Sequence, residues 1–81
     1  MKSNECILWE ASQIVNEYGD EIEIEIIQFR NQYHVTVNIC QERPPFKDFT
    51  AIGIDLHSKR KAAKKALIKL YNQAYPQLFK H

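Results

Sequence analysis

The 81-residue chain carries 44% hydrophobic and 26% charged residues and a net charge of +1, an ordinary globular composition with length for one domain, residues 1–81. A core this small leaves little room for a deep substrate cavity, which argues against an enzyme and against a small-molecule substrate. No apolar run approaches the ~20 residues that cross a bilayer. Nor does the Met1-Lys2-Ser3-Asn4-Glu5 start lead into the apolar stretch of a signal peptide, so an intracellular protein, cytoplasmic or nuclear, with no membrane partner is expected.

From Asn4 to Tyr18, Ile7, Ala11, Ile14 and Tyr18 recur at steps of three or four, with Leu8 and Val15 widening the stripe. This spacing predicts an amphipathic helix, capped by Ser3 or Asn4, with Glu5 in its first turn and Gly19-Asp20 at its end. Glu21 to Ile26 alternates strictly, so that three isoleucines face one side of a sheet and three glutamates the other. Those glutamates are expected on the solvated face of an edge strand. Arg30-Asn31-Gln32 offers a turn into Tyr33 to Cys40, where Tyr33, Val35, Val37 and Ile39 point inward, completing a hairpin. Pro44-Pro45, which lack ladder donors, interrupt the pattern before a strand from Phe49 to Leu56.

Ser58 is a good N-cap for a helix in which Ala62, Ala63, Ala66, Leu67, Leu70, Tyr71 and Ala74 recur at helical spacing until Pro76. The expected fold is therefore α+β in the order α-β-β-β-α, a three-stranded antiparallel sheet with two helices packed on one face.

The charges are segregated along the chain. Met1 to Leu56 holds four basic residues against ten acidic ones, whereas His57 to His81 holds seven basic residues and no acid. Segregation of this kind points to a local anion-binding surface. At roughly 100° per residue, Arg60, Lys61, Lys64 and Lys65 share one arc of the last helix, and Lys59 adds charge at its tip. Cations at a helix N-terminus oppose its dipole by a few tenths of a kcal/mol each, while the free N–H groups there suit phosphate. A lysine-rich helix is ordinarily a solvated face; here the unfavourable placement turns the reading toward function.

These residues resemble the double-stranded RNA-binding domain family. Ser58-Lys59-Arg60-Lys61-Ala62-Ala63-Lys64-Lys65-Ala66-Leu67 is similar to its closing motif, a Ser followed by Lys-Lys-x-Ala-Lys and an alanine-rich helix. Leu8-Trp9-Glu10-Ala11-Ser12-Gln13 resembles its first-helix stretch, whose Glu and Gln enter the RNA minor groove. The resemblance implies a partner, double-stranded RNA, recognised by shape and phosphates. It implies phosphate contacts from Lys59, Arg60, Lys61, Lys64 and Lys65, and minor-groove contacts from Glu10, Gln13 and Arg30. The third motif lysine falls on Ala63, and the Gly-Pro-x-His loop is reduced to Arg30-Asn31-Gln32. These departures carry the alternative expectation, a protein interaction or dimerisation module, in either case as part of an RNA-processing assembly.

Other residues read more plainly. Cys6 and Cys40 are expected as buried thiols and Trp9 as partly buried against the sheet edge. His34, Cys40, Cys6 and His57 lack the close spacing of a zinc site, and no cofactor is implied. Asp55, His57 and Ser58 are sequence neighbours, with Ser58 engaged as a cap, so no catalytic triad is expected.

Overall fold

The computed structural model describes residues 6–42, 44 and 46–79. Among these residues four strands, β1 (Cys6–Val15), β2 (Glu21–Phe29), β3 (Tyr33–Cys40) and β4 (Asp48–Asp55), are followed by one helix, α1 (Lys59–Ala74), and a 3-10 turn, Pro76–Phe79. The sheet is an antiparallel meander in the order β1-β2-β3-β4. Among the described residues no helix is long and apolar enough to cross a membrane.

The α-β-β-β-α expectation is corrected at its first element. Within the segment expected as a helix from Asn4 to Tyr18, Cys6–Val15 forms strand β1, pairing with β2 from Val15↔Glu21 to Cys6↔Phe29. Ser3, Asn4 and Glu5, its expected start, lie outside the described residues, as does Pro45. The physical reason lies in composition and in the partner available. Ile7, Trp9, Ile14 and Val15 lose rotamer freedom in a helix and fit a pleated surface, and an isolated helix of this length is marginal. Gly19, at φ 85°, adopts the left-handed conformation that closes the turn and lays the segment along all of β2.

One consequence is that β2 is an interior strand. Glu21, Glu23 and Glu25 do alternate with the isoleucines, but the edge they were expected to guard belongs to β1. The β2-β3 hairpin forms as expected, with Gln28↔Tyr33 flanking the turn and the Phe29 N–H donating to the Gln32 carbonyl at 2.8 Å.

Helix α1 lies over β3 and β4 and barely reaches β2. Ala62, Ala66, Leu70 and Ala74 are buried against Ile22, Val35, Val37, Ile39 and Ala51. Complete burial of each large side chain in this set contributes ~1.5–3 kcal/mol. The close approach depends on Gly53. A Cβ there would collide with the Ala62 carbonyl oxygen and stand 2.6 Å from the Ala66 nitrogen, so the helix backbone rests directly on β4. Because α1 covers only one side of the sheet's upper face, every residue of β1 is left exposed.

At the far end, Asn16 organises the β1-β2 turn. Its side-chain oxygen accepts from the N–H groups of Tyr18 (2.9 Å) and Asp20 (3.0 Å). Its amide donates to the hydroxyls of Tyr75 (2.9 Å) and Tyr71 (3.2 Å), which fastens the turn to the end of the helix.

Candidate nucleic-acid interface

The start of α1 is built as its sequence requires. Ser58 is extended (φ −144°, ψ 123°), and its side chain accepts from the Lys61 N–H at 3.2 Å. Asp55, the last residue of β4, turns back under the loop and accepts from the N–H groups of His57 (3.0 Å) and Ser58 (2.9 Å). Those bonds, the His57 one first, and the Lys65 ammonium hold its carboxyl down to about 2. Asp55, His57 and Ser58 thus form a capped turn.

The expected phosphate contacts divide into two groups. Lys59 reaches Glu10 of β1 at 3.4 Å, and Lys65 reaches Asp55 at 3.2 Å and the Ile54 carbonyl at 3.0 Å. The Lys59 pair is about half exposed on both sides and is worth at most ~1 kcal/mol, so a phosphate can compete for that lysine. Arg60, Lys61 and Lys64 are exposed, and among the described residues no hydrogen bond or ion pair engages their side chains. Arg60 and Lys64 stand one turn apart on the flank of α1 facing β1, and Lys61 lies between that flank and Lys65. No acid stands in the first turn.

The expected minor-groove contacts are not brought together. With β1 a strand, Glu10 and Gln13 point to opposite faces of the sheet: Glu10 toward α1, and Gln13 beside Glu23 on the back. Arg30 is exposed at the β2-β3 turn, at the same end of the sheet as the start of α1. The glutamates of β2 lie on the back face, away from the basic arc.

Between α1 and the uncovered upper face of β1-β2 runs an open apolar groove of about 560 Å³. Ile14 and Ile22 form its floor, Ala63, Leu67, Ile68 and Tyr71 its wall, and Arg60 and Lys64 its basic end. The groove was not foreseen from the sequence, although Ile68, one turn beyond Lys64 and 49% exposed, is the signal that marks it. Lys69 was also missed; it donates to the Ile52 carbonyl at 3.0 Å.

Three plainer expectations are corrected. Cys6 is exposed and Cys40 half-buried, where both were expected as buried thiols. Trp9 is 57% exposed, its indole N–H donating to Glu25 at 2.6 Å, because β1 places it on the back face of the sheet, opposite α1. Among the described residues no group of three or more His, Cys, Asp or Glu side chains is placed to hold a metal ion. No protein-family model matches the chain, and comparisons with curated proteins and with solved structures likewise match nothing.

Proposed function

We propose that the chain binds double-stranded RNA through its phosphate backbone, at the start of α1. The observation that carries this reading is the trio Arg60, Lys61 and Lys64, exposed and unengaged beside a Ser58-capped helix terminus. Cations placed against the helix dipole and left without acids cost stability in the free protein, and phosphate removes that cost. Lys59 joins the trio by exchanging its half-exposed partner Glu10 for a phosphate. The likeness of the Ser58 to Leu67 stretch to the RNA-binding motif supports duplex RNA as the polyanion. With Glu10 and Gln13 on opposite faces of β1, backbone charge supplies the affinity, and the reading includes no helix-borne minor-groove contact.

Fluorescence anisotropy with a labelled RNA duplex of about 20 base pairs tests the reading, with single-stranded RNA and duplex DNA as competitors, at two salt concentrations. Salt-sensitive binding that duplex RNA competes best is expected. Absence of binding at low salt overturns the assignment.

A further inference from the structure

The two edges of the sheet are treated differently. Along β4, Lys65 and Lys69 of α1 donate to the Ile54 and Ile52 carbonyls, each at 3.0 Å, so a cationic fringe runs along that edge. Lysine at a sheet edge is a common protection against pairing with another chain. Among the described residues strand β1 has no such fringe on its backbone: Lys59 of α1 reaches the Glu10 side chain and not a β1 carbonyl. From Cys6 to Val15 it contains no Lys, Arg or Pro, and its irregularity is confined to the start, between Cys6 and Leu8. Ile7, Leu8, Trp9, Ile14 and Val15 are each 46–68% exposed. A long, apolar, unprotected edge is a template for a further strand.

We propose that β1 pairs antiparallel with β1 of a second copy across a two-fold axis at Ala11, joining two sheets into one of eight strands. The strand's own sequence argues for a second copy and fixes the register. Directly opposed residues of an antiparallel pair share a face. Centring the axis on Glu10 sets two carboxylates against each other, which is destabilising. Centring it on Ser12 sets Ile14 against Glu10. Centring it on Ala11 sets Ile14 against Leu8, Gln13 against Trp9 and Ser12 against Glu10, and brings Val15 beside Ile7. Only the smallest side chain of the strand then meets itself.

Each copy brings five apolar side chains, each 46–68% exposed, and the strand's backbone edge to a contact that must bury ~1,000 Å² in all, where specific interfaces begin. The isologous contact closes on itself and leaves the lysine-fringed β4 at both outer edges. It also runs the floor of each groove, ending in Ile14, into Leu8 of the other copy.

Sedimentation equilibrium of the full chain, paired with disulfide trapping, tests this. With Cys6→Ser and Cys40→Ala as background, Ala11→Cys is expected to cross-link under mild oxidation, because opposed Cα atoms ~4.5–5.5 Å apart fall within disulfide range. Gln13→Cys is expected to remain uncoupled, since its own counterpart lies four residues away along the strand. Ala11→Lys is expected to weaken the dimer at least about tenfold with an unchanged circular dichroism spectrum. A monomer at high micromolar concentration, equal trapping at the two cysteine positions, or a dimer that survives Ala11→Lys would overturn the proposal. Should Ala11→Lys fail to fold, the pair of cysteine variants decides alone.

Discussion

The Tyr75 hydroxyl donates to the Asp20 carboxylate at 2.5 Å, joining residues 55 positions apart and fixing the end of α1 to the turn between β1 and β2. Asp20 is 2% exposed and Tyr75 7%, so this polar pair sits among core side chains. Burial first, and then the bond to Asp20, push the Tyr75 phenol up to about 12. A folded-state value raised above the usual ~10 gives stability that is fully present below pH ~10 and is lost as pH rises toward 12. Tyr75→Phe is expected to cost ~1–3 kcal/mol in urea unfolding at neutral pH and to flatten the alkaline limb of the stability profile.

Gly53→Ala is expected to be among the more damaging single substitutions. The added methyl meets the backbone of α1 at Ala62 and Ala66, where no flexible side chain can yield. Overpacking of this kind costs ~1–3 kcal/mol or more, readable as a lowered Tm, whereas alanine at Gly19, where nothing crowds the position, suffers only from its φ of 85°.

Removing Arg60, Lys61 and Lys64 together is expected to weaken duplex RNA binding strongly while leaving thermal stability unchanged or slightly raised, since these cations oppose the helix dipole. Each single alanine is expected to lower the slope of log affinity against log salt by about 1. Lys65→Ala, which removes a cation already engaged by Asp55 and the Ile54 carbonyl, is expected to alter that slope less. Titrations of the triple variant and the four single variants at three salt concentrations check the order.

Acid should act on the loop before α1. The Asp55 carboxyl, held at about 2 by the His57 and Ser58 N–H groups and by Lys65, contributes stability present above the ordinary carboxylate value of ~4. That contribution is lost as pH falls from ~4 toward 2. In Asp55→Asn the expected result is lower stability at neutral pH and a shallower decline through this window, followed by circular dichroism.

What was legible in the sequence follows from how many physical signals coincide at each element. In β2 strict alternation admits one reading, and in α1 the alanine stripe, Ser58 and Pro76 agree on both ends. The first segment carries a pattern that serves two structures. Ile7, Ala11, Ile14 and Tyr18 fit a helical period, while the consecutive Ile7, Leu8 and Trp9 fit a strand apolar on both faces, which leaves no alternation to read. The choice rests on pairing with β2, a non-local event that spacing alone does not encode. The candidate interface divides in the same way. The basic arc is a property of one helix and could be read from spacing. The acids that engage two of its lysines, Glu10 and Asp55, arrive from strands whose placement had to be known first.

The meander order also sets a schedule for synthesis. Each strand pairs with its neighbour in the chain, so the three hairpins can close in turn as the polypeptide emerges, with short loops and little entropy lost in closing them. The helix that buries Val35, Val37, Ile39 and Ala51 is made after all of them. Until Leu70 and Ala74 leave the ribosome, a finished but bare sheet waits with its apolar face uncovered. A nascent chain stalled between Asp55 and Leu70 is therefore the form of this protein most in need of a chaperone.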